Sequence, residues 1–292
     1  MTRRFLLVLL ALSLWAASSA WAGRIVAVGD LHGDLDATRQ ALRLAGAIDA
    51  DDRWIGGELV VVQTGDQLDR GDEERAILHL LDRLQDEAAA AGGALHILNG
   101  NHELMNARLD LRYVTEGGFA DFADLAADAE PDSLLLAHEP AHRGRVAAFR
   151  PGGPYARLLA ERPVVLILEG TVFVHGGLLP DHLEYGVERI NKEVGDWLLG
   201  RGDPPPFIHE GSSPTWIRAY SDEVDEDDCR QLAAVLEELG AERMVVGHTV
   251  QEEGITAYCG ERVWCIDTGI AAHYGNRVQV LEIDGDQVRA LP

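Results

Sequence analysis

The chain has 292 residues and combines 25 Lys and Arg with 49 Asp and Glu, which gives a formal charge of −24. Hydrophobic residues make up 47% of the chain, enough to bury a core, so the disordered, collagen-like and low-complexity classes are excluded. Nucleic-acid binding is also excluded, because such proteins place Lys and Arg against phosphates and Lys192 is the only lysine here.

Residues 1–22 have the pattern of a secretory signal peptide. Arg3 and Arg4 form a short positive region, the apolar run that follows ends at Ala17, and Ala20-Trp21-Ala22 offers small residues for cleavage. A membrane anchor is the alternative, but a spanning helix needs roughly 18 apolar residues and this run is shorter. We therefore expect an exported protein without a stable membrane anchor, located in the periplasm.

Strands and helices are predicted to alternate along the rest of the chain. Short apolar runs that stop at Gly, Asp, Asn or His predict buried strands, and apolar residues at three- and four-residue spacing predict helices between them. The predicted strands are residues 24–28, 59–62, 94–98, 171–174 and 243–246, and the predicted helices are residues 36–45, 73–91, 183–199 and 228–239. This alternation indicates the α/β class, with a central β-sandwich flanked by helices.

Residues 23–292 are predicted to form a single domain, because α/β folds of roughly 200 to 250 residues commonly do so. Residues 104–162 differ from the rest of the chain in having charged helix-like pieces, Pro131 and a Pro151-Gly152-Gly153-Pro154 turn. We expect this stretch, named the cap-like segment, to be an insertion that lies beside the site.

Three cysteines in an exported chain raise the question of a disulfide, because oxidising compartments favour them. Cys259 and Cys265 flank a possible turn at Gly260-Glu261, so a local bridge between them is one hypothesis. Buried unpaired thiols are the other. Neither hypothesis assigns the cysteines a function.

Polar side chains suited to metal binding follow each predicted strand. Because ligand sites of open α/β sheets lie at the carboxyl ends of the strands, these side chains are expected to converge. They are Asp30, His32, Asp66, Asn101, His175 and His248. Carboxylate, amide and imidazole donors suit Mn, Fe or Zn, and this set is large enough for two divalent ions that share a carboxylate. Such a pair clamps both oxygens of an in-line phosphoryl displacement.

Five short motifs resemble those of the calcineurin-like metallophosphoesterases. They are Gly29-Asp30-Leu31-His32-Gly33, Gly65-Asp66-Gln67-Leu68-Asp69-Arg70-Gly71, Gly100-Asn101-His102-Glu103, His175-Gly176-Gly177 and Gly247-His248-Thr249. The Asp-Arg-Gly ending of the second motif is similar to the phosphoprotein-phosphatase branch. Gly152-Gly153-Pro154 before the His-Gly-Gly motif and Trp216-Ile217-Arg218 after it are similar to the bacterial Shewanella-like protein phosphatases.

The resemblance implies a metal site with two ions. The residues implied for the first ion are Asp30, His32 and Asp66, and those implied for the second are Asp66, Asn101, His175 and His248. Manganese is the ion we would supply first. A water that bridges the two ions would attack phosphorus directly, without a covalent intermediate on the protein.

The resemblance also implies roles for residues that do not bind metal. His102 would be the general acid that protonates the leaving oxygen, with Asp69 as its carboxylate partner. Arg70 and Arg218 would hold the phosphate oxygens by bidentate hydrogen bonds, which a planar guanidinium makes better than an ammonium group does.

Three features depart from the pattern or leave alternatives. Gly247-His248-Thr249-Val250 lacks the second metal-binding His that phosphodiesterases of this superfamily carry, which favours a phosphomonoesterase. His273 and Tyr274 are expected either to line the pocket or to lie on a surface loop. Glu103 is expected either to hydrogen-bond a metal ligand or to be a surface acid.

The main functional hypothesis is a dimetal phosphomonoesterase that acts on phosphoproteins and favours phosphotyrosine. The alternative is an exported hydrolase of small phosphometabolites or dinucleoside polyphosphates. A closed pocket lined by Tyr113, Phe119 or Phe122 would favour the alternative, and a wide groove would favour a peptide. A metal-holding protein without turnover is a third hypothesis, disfavoured because His102 and Asp69 serve no purpose in mere binding.

Overall fold

The computed structural model describes residues 23–128, 132–209, 211 and 213–292. The predicted signal peptide lies outside these residues, so export stays a prediction. Among the described residues, no helix is both long and apolar enough to cross a membrane.

Strands and helices alternate as the sequence predicts, with additional short elements. The strands are β1 (Ile25–Val28), β2 (Val60–Gln63), β3 (Ala94–Ile97), β4 (Val165–Leu168), β5 (Thr171–Val174), β6 (Arg243–Val246), β7 (Thr256–Tyr258), β8 (Val263–Cys265), β9 (Val280–Asp284) and β10 (Gln287–Leu291). The helices are α1 (Leu35–Leu44), α2 (Glu74–Ala91), α3 (Asn101–Ala107), α4 (Glu116–Ala120), α5 (Leu125–Asp128), α6 (Ser133–Leu136), α7 (Arg143–Phe149), α8 (Pro154–Leu159), α9 (Pro180–Tyr185), α10 (Val187–Leu198) and α11 (Glu226–Leu239).

Two mixed five-stranded sheets form the centre of the molecule. The first has the order β10-β9-β1-β2-β3, and the second has the order β4-β5-β6-β8-β7. The strands β1, β2 and β3 are parallel, as are β5, β6 and β8, while β4, β7, β9 and β10 pair antiparallel at the edges. The predicted α/β class and all five predicted strands are confirmed.

The two sheets pack face to face, and helices cover their outer faces. Successive side chains of a strand point to opposite faces, so Ala27 and Val62 join Phe173 and Val245 between the sheets. Val26 and its neighbours pack instead against α1 and α2, and the other sheet packs against α10 and α11. The strands β1, β2 and β5 are buried on both faces, and each fully buried aliphatic side chain in them contributes about 1.5 to 3 kcal/mol to folding.

The helix ends follow local signals, and one of them corrects the sequence analysis. The side chain of Asp34 accepts the N–H of Ala37 at the start of α1, and α2 ends where Gly92 takes a left-handed φ of 89°. The single helix predicted over residues 183–199 is wrong. Gly186, with a φ of 102°, separates α9 from α10, because a left-handed residue cannot continue a right-handed helix.

The cap-like segment consists mainly of short helices. It includes the second half of α3 and all helices from α4 to α8. Phe122 packs edge to face with Phe149 and Tyr155 at ring-centroid distances of 5.0 and 4.9 Å, and the three rings join the segment to the main core. The boundaries of this segment as an insertion stay a prediction.

The cysteines pair differently from the hypothesis of a local bridge. Cys229, near the start of α11, forms a disulfide with Cys259, directly after β7, and Cys265 is unpaired. The reason lies in the hairpin: Cys265 pairs with Thr256 in the β7–β8 ladder and its side chain is buried in the core. The hypothesis of a Cys259–Cys265 bridge is therefore wrong, and the alternative hypothesis of buried unpaired thiols holds for Cys265 alone.

Candidate active site

The predicted metal-binding side chains meet at the carboxyl ends of the parallel strands. Asp30 follows β1, Asp66 follows β2 and Asn101 begins α3 directly after β3, all in the first sheet. His175 and His248 follow β5 and β6 of the second sheet. Since the sheets pack face to face, their strand ends bring these side chains together between the two layers.

Asp66 lies at the centre of the cluster. Its Oδ1 accepts the N–H of His102 at 2.9 Å, which leaves Oδ2 facing the imidazoles. That oxygen is 3.2 Å from His175 Nε2 and 3.7 Å from His32 Nε2. On the two sides of Asp66, Asp30 Oδ2 lies 3.9 Å from His32 Nε2, and Asn101 Oδ1 lies 2.9 Å from His175 Nε2. Asp66 is thus the carboxylate that two ions would share.

The histidines are oriented as metal ligands usually are. His32 Nδ1 donates to the carbonyl of Leu68 at 3.1 Å, and His175 Nδ1 donates to the carbonyl of Thr64 at 3.0 Å. His248 Nε2 donates to a backbone carbonyl at 3.0 Å as well. Each ring therefore keeps its second nitrogen as a free acceptor, fixed in direction by the first.

The electrostatics of the cluster suit bound cations. Burial lowers the pKa of His32 to about 3 and holds the pKa of His248 well below its ordinary value, so both rings are neutral. Burial, with the negative charges of Asp267 and Asp66, raises the pKa of Asp30 well above its ordinary value. Divalent ions would relieve this crowding of carboxylates, and neutral imidazoles are the form that binds metal. The donor set fits two ions.

His102 differs from the neighbouring His32, although their ring centroids lie only 4.8 Å apart. Geometry alone would admit His102 to a metal group with His32 and Asp66, because their donor atoms lie within 4.8 Å of one another. His102 Nδ1, however, is 2.6 Å from Asp69 Oδ2. Burial opposes its protonation, but the charges of Asp66 and Asp69 outweigh burial and raise the pKa of His102 to about 9. A protonated ring donates protons and does not bind metal.

Two arginines face the cluster from the rim of a cavity of about 240 Å³. The backbone N–H of Arg70 donates to the carbonyl of Tyr113 at 3.2 Å. The guanidinium carbon of Arg70 lies 4.0 Å from the centroid of the Tyr113 ring. The buried Nε of Arg70 has no hydrogen-bond partner among the residues that the structure describes. Arg218 is exposed at the same rim. A guanidinium N–H without a partner, beside the cluster of predicted metal-binding side chains, is suited to donate a hydrogen bond to a phosphate oxygen.

The loops that carry the site contain left-handed residues other than glycine. Asp66, Asp69 and Arg70 have φ values of 57°, 66° and 70°, and His32 and His248 have values of 45° and 68°. Such positions cost about 1 to 3 kcal/mol each and persist only where the surroundings enforce them. These five site residues therefore depend on the contacts around them to keep this backbone conformation.

The structure brings all ten predicted site residues to this one region, and their individual roles stay predictions. It also adds Asp267, which is 2% exposed and close to Asp30. Asp267 was not among the predicted site residues, although the apolar residues 263–266 before it repeat the pattern found before the other strand ends. Glu103 is fully buried and accepts four backbone N–H groups, so it is not a surface acid.

The aromatic residues near the site divide into two groups. Tyr113, Trp216 and Tyr274 line the cavity, with the Tyr274 ring centroid 5.0 Å from that of His32. Phe122 is fully buried in the core, and Phe119 stacks on a histidine away from the described lining of the cavity. Of the residues following the last motif, Tyr274 therefore lines the pocket, while His273 is exposed.

The fold and the site together define a metallophosphoesterase, a metal-dependent phosphatase. The chain belongs to the calcineurin-like phosphoesterase family, whose model matches residues 23–252. The resemblance inferred from the five motifs is confirmed.

Particular relatives narrow the comparison. The chain is 41% identical over 295 residues to Shewanella-like protein phosphatase 2 of Arabidopsis thaliana, covering 90% of this chain and 75% of that protein. Its structure is similar to that of a cold-active protein tyrosine phosphatase, with a TM-score of 0.75, 26% identity and coverage of 92% and 75% of the two chains. A structure of the cold-active protein-tyrosine phosphatase of a psychrophilic Shewanella species gives a TM-score of 0.69 at 25% identity, covering 92% and 80%.

Proposed function

We propose that the protein is a phosphomonoesterase for phosphoproteins and that it favours phosphotyrosine. The observation that carries this proposal is the contact of 2.6 Å between His102 and Asp69, directly beside the group of Asp66, His175 and His248 that could hold a metal ion without His102. A protein that only held metal would have no use for a protonated, carboxylate-paired imidazole at that place.

Each group in the cavity has a part in the proposed reaction. Two bound divalent ions would supply Lewis acidity and lower the pKa of the attacking water. Asp30, His32, Asp66, Asn101, His175 and His248 would hold these ions. Arg70 and Arg218 would bind the phosphate oxygens and turn phosphorus towards the cluster, and the charge that develops on those oxygens would be stabilised by the same contacts. His102 would donate the proton that the leaving oxygen needs, while Asp69 keeps its ring in place.

The preference for phosphotyrosine rests on the walls of the cavity. Tyr113, Trp216 and Tyr274 form an aromatic rim around the arginines, and aromatic rings pack favourably in offset or edge-to-face geometry. A phenyl phosphate would present its ring to this rim, whereas a phosphoserine side chain is too short to do so. The name of the structural neighbour, a protein tyrosine phosphatase, points the same way.

The first test compares para-nitrophenyl phosphate with its bis ester. Residues 23–292 are stripped of metal and reloaded with Mn²⁺, because the oxygen and nitrogen donor set suits that ion as well as Fe or Zn. We expect turnover of the monoester, and only with metal. Faster cleavage of the diester would assign the protein to phosphodiesterase chemistry, and no turnover of either ester with Mn, Fe or Zn would favour a binding protein.

The second test addresses the substrate class. Turnover is measured on one peptide carrying either phosphotyrosine or phosphoserine, and on diadenosine tetraphosphate. We expect the phosphotyrosine peptide to be at least about tenfold better than the others, a difference of about 1.4 kcal/mol. Tyr113→Leu is expected to reduce that ratio and Phe119→Leu, outside the described lining of the cavity, to leave it unchanged. Preference for the dinucleotide would support the alternative hydrolase.

We also propose that the protein is exported to the periplasm. The Cys229–Cys259 disulfide supports this proposal, because disulfides persist in oxidising compartments. The full chain is expressed in a bacterium, the periplasmic fraction is collected, and the N-terminus of the protein is determined by mass spectrometry. We expect a chain that begins at Gly23 in that fraction. An uncleaved chain in the cytoplasm would contradict the proposal.

A further inference from the structure

A fully buried arginine of the cap-like segment lies directly behind the predicted proton donor. Arg145, on α7, is 0% exposed, and its guanidinium uses all five of its N–H groups. Nε donates to Asn106 Oδ1 at 2.7 Å, and Nη1 donates to the Gly118 carbonyl at 3.1 Å and to Glu74. Nη2 donates to Asp69 Oδ1 and to Glu74 Oε1, both at 2.9 Å. One side chain therefore joins α2, α3 and the loop that carries Asp69.

The carboxylate of Asp69 divides its two oxygens between this arginine and the imidazole. Oδ2 accepts from His102 Nδ1, while Oδ1 accepts from Arg145 Nη2 and from Asn106 Nδ2 at 3.0 Å. Rotation of the carboxylate would break the contacts of both oxygens at once. Asn106 Nδ2 also donates to the backbone carbonyl of His102 at 2.9 Å, which closes the network.

We propose that Arg145 is a positioning residue for proton transfer to the leaving group, acting by fixing the Asp69 carboxylate that in turn orients His102. Arg145 does not line the cavity among the residues that the structure describes, so it reaches the substrate only through this chain of contacts. Its planar fork satisfies two carboxylates and an amide simultaneously, which a lysine ammonium group on a flexible stem does not do. The inference rests on the proposed role of His102 as general acid.

A purely structural role is the competing explanation, because the Arg145–Glu74 pair also attaches α7 to α2. The two roles differ in their dependence on the leaving group. A phenolate of low basicity, such as 2,4-dinitrophenolate, departs without a proton, whereas the phenolate of phenyl phosphate needs one. If Arg145 positions His102, its loss slows only the hydrolysis of phenyl phosphate. If Arg145 only stabilises the fold, its loss slows the hydrolysis of both esters equally.

The experiment measures kcat and KM of Arg145→Lys, loaded with Mn²⁺, on phenyl phosphate and on 2,4-dinitrophenyl phosphate. We expect kcat on phenyl phosphate to fall about 10- to 100-fold, which is a smaller loss than complete removal of a general acid causes. On the dinitrophenyl ester, we expect kcat to fall less than about threefold. KM should stay the same. Adding Asp69→Asn to Arg145→Lys should make the protein no slower than Asp69→Asn alone, because the two changes remove the same contact.

A matched control lies on the same aromatic ring. The guanidinium carbons of Arg75 and Arg145 are 5.0 Å and 5.3 Å from the Phe122 centroid, but Arg75 bonds to Asp124 and not to Asp69. Arg75→Lys is expected to leave both rates unchanged. If Arg145→Lys does not fold, Asn106→Ala carries the same test, since it removes the other donor to Asp69 Oδ1 together with the acceptor of Arg145 Nε.

The outcomes separate this inference from the proposed function. Equal losses on the two esters in Arg145→Lys and Asn106→Ala, with a selective loss in His102→Asn, would overturn the positioning role alone. Equal losses in His102→Asn itself would refute the general acid, and the positioning role would fall with it. A selective loss in all three variants supports both.

Discussion

Glu103→Gln is expected to destabilise the protein and to weaken metal binding, although Glu103 is not a predicted ligand. Its carboxylate accepts four backbone N–H groups from the two loops of the site. Oε2 accepts from Asp66 at 2.8 Å and from Gly100 at 2.7 Å, and Oε1 accepts from Gln67 at 2.8 Å and from Leu68 at 3.2 Å. The glutamine amide keeps one acceptor oxygen and turns an NH₂ group towards the other two donors.

The magnitude follows from the two hydrogen bonds that are lost. Hydrogen bonds to a charged group contribute about 1.5 to 3 kcal/mol each, so the loss is about 3 to 6 kcal/mol. Burial opposes ionisation of Glu103 and raises its pKa to about 7, which offsets part of the gain. We therefore expect the lower end, about 3 kcal/mol, out of a total stability of about 5 to 15 kcal/mol.

Urea unfolding of the metal-free protein at pH 8, where the carboxylate is ionised, measures this loss. The midpoint should fall while the slope with urea stays constant, because the exposed surface does not change. Glu73→Gln, an exposed glutamate at the start of α2, is the control and should change stability by less than about 0.5 kcal/mol. A loss below about 1 kcal/mol for Glu103→Gln would refute the argument that these four contacts hold the loops.

Three further predictions test the site and the disulfide. His102→Asn should lower turnover about 10²- to 10⁴-fold while metal content, measured by elemental analysis, stays unchanged; unaltered turnover would remove His102 from the mechanism. The pKa of His102 rises from 6.5 to about 9, so protonation of the ring adds about 3 kcal/mol to the free energy of unfolding of the metal-free protein. This stabilisation is complete below pH 6.5 and is lost as the pH rises through 9. Thermal unfolding across that range should show the loss in the wild type and not in His102→Asn. Cys229→Ser removes a disulfide that joins residues 30 positions apart, and it should lower the free energy of unfolding by about 3 to 4 kcal/mol, measured from urea midpoints. A midpoint equal to that of the wild type would contradict stabilisation by this disulfide.

The parallel strands and their motifs could be predicted because burial on both faces leaves a signal in the sequence. β1, β2, β5 and β6 are almost entirely buried, so each contains a run of apolar residues, and the polar residues shortly after each strand mark the site. The edge strands lack this signal. β7 is half-buried throughout and β10 is largely exposed, so neither contains an apolar run. Each pairs antiparallel with the strand next to it in the chain, β7 with β8 and β10 with β9, so these hairpins form without a buried apolar run in the edge strand.

Buried charged side chains are the other structural feature that could not be predicted from the sequence. Glu74 at the start of α2 and Arg145 within α7 have the appearance of solvent-facing helix charges, and charged residues are rarely buried unless paired. Each is buried only because the other is present, 71 positions away in the chain. Such pairs are settled by tertiary packing, which local periodicity does not report. The predicted site therefore contained the proton donor and its carboxylate, but not the arginine behind them.

The second motif shows why an active-site sequence can tolerate unfavourable backbone. Asp66, Asp69 and Arg70 are left-handed without being glycine, at a cost of about 1 to 3 kcal/mol each. Glu103 accepts the N–H groups of residues 66–68 and Glu74 accepts that of Asp69, so buried carboxylates offset the strain from Asp66 to Asp69. The N–H of Arg70 donates to the carbonyl of Tyr113. Gly100 completes the arrangement, because a Cβ there would lie 2.1 Å from Asp66 Oδ1. The turn is thus held by hydrogen bonds and close packing within the protein, and these contacts fix the direction of the side chains that the site uses.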